Sequence, residues 1–81
     1  MHLELITPDQ TAFDGEVNSV TVPGAKGSFQ ILKNHAPIVS ALSKGSLIIS
    51  LDDGEKKFMV DGGVVEVLDN HIIVLAESIV E

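Results

Sequence analysis

The sequence has no cysteine. That excludes a disulfide framework and a thiolate metal site, two common ways of holding a very small fold together. It has no arginine either: its five basic residues are all lysine, set against twelve acids for a net charge of −7. An acidic domain without guanidinium groups is poorly suited to phosphate backbones or anionic lipid, so neither nucleic acid nor a membrane surface is an expected partner. No apolar run exceeds the five residues of Ile72–Ala76, whereas a membrane-crossing helix needs about 20. Met1 leads straight into His2-Leu3-Glu4-Leu5, without the basic start of a signal peptide.

What remains is a dense apolar composition in 81 residues. A chain of this size makes one domain, and it buries only about 60% of the surface exposed by its unfolded form. Val, Ile and Leu together number 26, enough for a core and too many for a disordered tail. Eighteen of them are Val or Ile, whose stiff β-branched side chains favour strands. Turn signals recur at Pro8-Asp9, Asp14-Gly15, Pro23-Gly24, Lys33-Asn34, Lys44-Gly45, Asp52-Asp53-Gly54, Asp61-Gly62-Gly63 and Asp69-Asn70. A spacing of about 8–11 residues between turns predicts an all-β sandwich or barrel.

The segments between the turns fit a period of two. Val20 and Val22 share one face and Ser19 and Thr21 the other; Phe58 and Val60 oppose Lys57 and Met59. Leu47-Ile48-Ile49 and Ile72-Ile73-Val74-Leu75 are apolar on both faces, which predicts two central strands covered on both sides. Asp52-Asp53-Gly54 predicts a tight hairpin between Leu47–Leu51 and Glu55–Val60, and Asp69-Asn70 another between Val64–Leu68 and His71–Ala76. Ile38-Val39-Ser40-Ala41-Leu42 is too short and too β-branched for a helix and is read as a strand.

Catalytic and cofactor motifs are scarce. His2, His35 and His71 stand far apart in sequence, and none has a neighbour at a metal-ligand spacing, so no metal site is expected. His71 beside a turn reads as an exposed residue, and His35 as a loop histidine donating to a backbone carbonyl. No serine lies in Gly-x-Ser-x-Gly, and no pair of acids is set for acid–base work. In Gly24-Ala25-Lys26-Gly27-Ser28 the lysine precedes the second glycine and no helix follows, which excludes a phosphate-binding loop. Lys26 between two glycine turns raises one alternative, a small all-β lipoyl or biotinyl carrier displaying that lysine. Its flanks, Ala25 and Gly27, and the lack of a half-to-half repeat argue for an ordinary solvated loop.

The run Gly27-Ser28-Phe29-Gln30-Ile31-Leu32-Lys33-Asn34-His35-Ala36-Pro37-Ile38-Val39-Ser40-Ala41-Leu42 resembles the epsilon subunit of F-type ATP synthases. Three further segments agree: His2–Pro8, Phe13–Gly24, and Val60-Asp61-Gly62-Gly63-Val64-Val65-Glu66-Val67 leading to Ile72–Glu77. Each is modest alone; their order over nearly the whole chain is specific. The resemblance implies a flattened β-sandwich of about ten strands occupying residues 1–81 as a single domain, with no catalytic residue and no cofactor.

It also implies a role in the rotating central stalk, docked on the gamma subunit and on the ring of c subunits, so that proton-driven rotation reaches the catalytic head. His35 and the strand carrying Ile38, Ser40 and Leu42 would face gamma. The loop Lys26-Gly27-Ser28-Phe29 would face the c ring. Ser28 stands where the family commonly has an acid, and the family often has another near Lys26, so the local charge is reversed here. Asn34 replaces a usual glycine, which is tolerable at positive φ, and Gln30 replaces another. The sequence stops at Glu81, before the helical hairpin that family members usually carry, so neither ATP binding nor self-inhibition is expected. The implied setting is the cytoplasmic face of a bacterial inner membrane, peripheral through the complex and without direct membrane insertion.

Overall fold

A computed structural model describes residues 1–80 of the chain. Those residues form eight strands and no helix: β1 (His2–Ile6), β2 (Thr11–Glu16), β3 (Ser19–Val22), β4 (Phe29–Ile31), β5 (Ile38–Leu51), β6 (Gly54–Leu68), β7 (His71–Ala76) and β8 (Ile79–Val80). They pair in the order β2-β1-β7-β6-β5-β3-β4, with β8 on β6. Every pairing is antiparallel except β1 with β7.

The all-β sandwich expected from turn spacing is present, but with eight strands where about ten were expected. Two expected turns, at Lys44-Gly45 and Asp61-Gly62-Gly63, are bends inside the long strands β5 and β6. These two stay paired from Leu51↔Gly54 to Ile38↔Val67, with only the position opposite Ser43 missing from the ladder. Beyond the bend, β7 and then β1 and β2 extend one layer from the Gly63–Leu68 half of β6. Before it, β3 and β4 extend a second layer from β5, and β8 adds to Met59 and Val60 of β6. Each layer thus has five strand segments, ten in all, carried on eight strands.

Glycine makes the bend possible. Gly62 and Gly63 have φ of 87° and 140°, outside the range of ordinary side chains. A Cβ on Gly63 would run into the Leu75 carbonyl oxygen and lie 2.9 Å from Ala76 Cα. Neighbouring segments take up backbone groups at the bend: Ser43 N–H donates to the Pro23 carbonyl (2.8 Å) and Asp61 N–H to that of Ser78 (3.0 Å). The two predicted hairpins are present. Asp69 and Asn70 both have positive φ, as a two-residue turn with primed geometry requires.

Strand alternation sends one side of each layer inward. Leu3, Leu5, Val65, Val67, Ile72 and Val74 from the first layer meet Val20, Val22, Ile31, Leu47, Ile49 and Val60 from the second in one core. Val20 and Val22 are buried and Phe58 packs against the core, as the period of two predicts. The expectation that Leu47–Ile49 and Ile72–Leu75 are covered on both sides is corrected. Nothing among the described residues covers their outer sides, and Leu75 is 44% exposed there. A two-layer sandwich has only one interior, so apolar residues at outward positions stay on the surface.

Two substitutions test this frame. Val74→Ala, at a fully buried position, is expected to cost about 2–3 kcal/mol of unfolding free energy in denaturant titration. Gly63→Ala is expected to cost at least as much, since its clash is with backbone and no rotamer relieves it; an unchanged midpoint would mean the bend is not constrained there.

Candidate functional site

The outer sides of the two layers differ in chemistry. On the second layer the outward positions are Ser19, Thr21, Gln30, Ser46, Ile48, Ser50, Glu55, Lys57 and Met59 by strand register, a mostly polar set. On the first, register aligns two rows across five strand segments and a third across four. One row runs Thr11, Ile6, Leu75, Val64, Ala41; the next runs Asp14, Glu4, Ile73, Glu66, Val39; the third runs Glu16, His2, His71, Leu68. Val39 is 74% exposed and Leu68 59%. Ile6, Leu75, Val64 and Ala41 form an unbroken apolar row, Glu4 and Glu66 stand on either side of Ile73 in the next, and no lysine stands in the rows.

Of the residues expected toward gamma, Ile38, Ser40 and Leu42 sit on β5 at this face's edge, with their side chains turned inward. Leu42 is buried in the core, Ile38 packs against it, and Ser40 is half-buried with its hydroxyl 3.4 Å from the Ala41 carbonyl. Alternation brings Val39 and Ala41 outward instead. Knowing the strand was not enough to identify its outer side; the signal that could have done so is its pairing with the alternating Val64–Leu68 segment.

His35 lies in the loop before β5. Its Nδ1 is 2.7 Å from the Ala36 carbonyl oxygen, the local bond expected of it. The same loop is held by a reciprocal amide pair that sequence reasoning missed. Asn34 N–H donates to Asn70 Oδ1 (2.6 Å), and Asn70 Nδ2 donates to Asn34 Oδ1 (3.0 Å). Both asparagines have positive φ, 66° and 62°. Their tolerance of that conformation was legible, but their contact across 36 residues was not.

The residues expected toward the c ring are split. Lys26, Gly27 and Ser28 are exposed, whereas Phe29 packs against the core. Gly27 N–H donates to the Gly24 carbonyl (3.0 Å), which puts Ala25 and Lys26 at the loop tip. Gly24 permits this closure: a Cβ there would lie 2.6 Å from the Gly27 carbonyl oxygen and 2.8 Å from the Phe29 ring. Ala25 N–H donates to the Ala41 carbonyl (2.9 Å), laying the loop against β5. The loop therefore shares one open cleft with Val39, Ser40 and Ala41, so the two expected contact groups are neighbours.

At the opposite edge of the face, the parallel pairing of β1 with β7 sets His2 beside His71. The rings meet edge to face with centroids 5.4 Å apart. His71 Nε2 is 2.8 Å from Glu4 Oε1; His2 places Nε2 2.5 Å from Asp14 Oδ1 and Nδ1 3.1 Å from Glu16 Oε2. Hydrogen bonds to Glu16 and then Asp14 hold the His2 imidazolium and raise its pKa above the ordinary histidine value. The bond from His2, followed by that from the Met1 ammonium, lowers the pKa of Glu16. The expectation of no metal-binding group rested on spacing along the chain; folding gathers two histidines and a carboxylate that lie far apart in it.

Comparison with known proteins gives this geometry a family. The family described as "ATP synthase, Delta/Epsilon chain, beta-sandwich domain" matches residues 1–81. The ATP synthase epsilon chain of Chlorobaculum tepidum is 45% identical over 78 residues, covering 95% of this chain and 89% of that one. The epsilon chain of Rhodopseudomonas palustris strain BisB5 is 41% identical over 76 residues, and there the match spans only 56% of the relative's length. The fold matches a chain of the Euglena gracilis mitochondrial ATP synthase OSCP/F1/c-ring structure, with a TM-score of 0.88 and 23% identity over 96% of this chain and 51% of that one. It also matches a chain of the Tetrahymena thermophila mitochondrial ATP synthase central stalk and c-ring structure, with a TM-score of 0.83 and 23% identity over 99% of this chain and 65% of that one.

The asparagine pair can be measured directly. A double-mutant cycle on Asn34→Ala and Asn70→Ala is expected to give a coupling free energy of about 0.5–1.5 kcal/mol. Additive costs would mean the two amides act independently.

Proposed function

The chain belongs to the ATP synthase delta/epsilon family through its β-sandwich domain, and from that premise we propose that it is a non-catalytic rotor subunit coupling proton-driven rotation to ATP synthesis. The apolar outer face of the first layer carries this reading. That face docks on the gamma subunit through Val39, Ala41, Val64, Ile73 and Leu75, with His35 and the β5 edge beside it. Apolar contact supplies affinity, and the acids in and beside the face, Glu4, Glu66, Asp14 and Glu16, select a partner that brings basic residues to meet them. Ile38, Ser40 and Leu42 support the contact from beneath by fixing the strand that displays Val39.

The exposed loop carrying Lys26, Gly27 and Ser28 meets the polar loops of the c ring. Its cation gives that contact a charge opposite to the chain's net −7. Because the loop is bonded to β5, force applied at the tip reaches the gamma-facing strand through backbone hydrogen bonds and a close-packed core. The location that follows is the cytoplasmic face of a bacterial inner membrane, held there by partners. No helix among the described residues is long and apolar enough to cross a membrane. The family takes the place of the lipoyl or biotinyl carrier alternative, although Lys26 does stand at an exposed tip.

In this reading these 81 residues neither bind ATP nor inhibit the motor; with no arginine and an excess of acids they offer a polyphosphate little attraction. Calorimetric titration with ATP is expected to give no saturable heat, and tight binding would overturn this part of the reading.

Docking is tested by mixing the chain with its cognate gamma subunit and following complex formation by size exclusion. The wild type is expected to form a stoichiometric complex. Val39→Glu is expected to weaken it at least about tenfold, or ~1.4 kcal/mol, with an unchanged circular dichroism spectrum. Equal binding by both forms would remove this face from the interface. His35→Ala is expected to weaken binding without lowering the thermal midpoint, while a lowered midpoint with full affinity would make His35 purely structural.

A further inference from the structure

We propose that His2, Glu4 and His71 form a binding site for a single divalent transition-metal ion, of which Zn²⁺ is the representative. Each offers one ligand atom, and the three atoms lie within 4.8 Å of one another. Ligand atoms around a tetrahedral Zn²⁺ at about 2.0–2.1 Å lie roughly 3.3–3.4 Å apart, so side-chain rotation closes the set without moving the strands. Two imidazoles and one carboxylate are a donor set suited to zinc, with a further position open to water or to a ligand from outside the chain.

The backbone preorganises two of the three residues in each direction. His2 and Glu4 are two apart on β1 and share its outer face. His71 is the parallel cross-strand neighbour of His2. The edge-to-face packing of the two rings, at 82° between planes, holds them against each other rather than splayed into solvent.

The surroundings are those of a metal-binding histidine. The two ring nitrogens of His2 face Asp14 and Glu16 separately. The ring nitrogen that takes the ion gives up its proton and its carboxylate contact, and the other keeps a carboxylate that fixes the ring's orientation and raises its basicity. The side chains of His2, Glu4 and His71 are 37%, 31% and 48% exposed, which leaves a path for the ion. Three carboxylates around the two rings supply the negative potential that a dication neutralises. Bound there, the ion joins the first strand to β7 at the edge of the apolar outer face.

The site requires nothing of the docking reading and is tested separately, by titrating the metal-free full chain with Zn²⁺ in calorimetry and in NMR. One saturable equivalent per chain is expected. The imidazole resonances of His2 and His71 are expected to shift together while those of His35, held at the Ala36 carbonyl, stay still. His71→Ala and Glu4→Gln are each expected to abolish the saturable phase with a native circular dichroism spectrum, and Asp14→Asn to weaken it by about 10–100-fold. Equal shifts at all three histidines, or saturable binding that survives in the His2→Ala/His71→Ala double variant, would overturn the site. The NMR arm needs no variant, so the proposal stays falsifiable even if a substitution disturbs folding.

Discussion

The ladder between β5 and β6 is the interaction on which the rest of this structure depends. Over fourteen and fifteen residues, these two strands keep one register while turning through a bend. On one side of the bend they form part of the first layer, on the other part of the second. A sheet that continues through a bend closes over its own inner face, so a core forms without a helix and without cysteine. The cost is local: one position opposite Ser43 drops out of the ladder, and two glycines take conformations that other residues avoid.

From that ladder follows the difference between the two outer faces. The first layer grows from the Gly63–Leu68 half of β6 by adding β7, which is apolar at outward Ile73 and Leu75 as well as at its inward positions, then β1, which adds outward Ile6, and β2, whose outward Thr11, Asp14 and Glu16 give the layer a polar edge. The second grows through β3 and β4, whose outward residues are Ser, Thr and Gln. One face is therefore apolar with acids among its rows, and the other is polar. The result is a close-packed body whose two outer sides differ in polarity, with the loop at Lys26 bonded to the same strand that displays Val39.

The parallel contact of β1 with β7 is the second long-range decision of the fold. It places the first strand of the chain beside a strand near its end, inserted between β2 and β6. His2 and His71 become neighbours only through it, as Asn34 and Asn70 do through the approach of the loop before β5 to the last tight hairpin. Each pair joins segments that no local pattern relates.

The amino-acid sequence by itself determined the local alternatives. Val and Ile at alternate positions, interrupted by Asp-Gly and Asp-Asn, specify strands and tight turns because side-chain sterics and positive φ act within a few residues. The inward faces of Val20, Val22, Phe58 and Val60, the two hairpins and the conformation of Asn34 were legible on those grounds, as was the family from its ordered motifs. Tertiary structure alone decided which expected turns were bends, because Gly45 and Gly62-Gly63 can end a strand or curve it, and only the partner strand selects between the two. It alone decided that Ile73 and Leu75 stay uncovered, since an apolar residue states a preference for burial but does not supply the layer that would bury it. It alone assembled His2, Glu4 and His71, because strand register, a property of two segments at once, sets which side chains meet across a sheet.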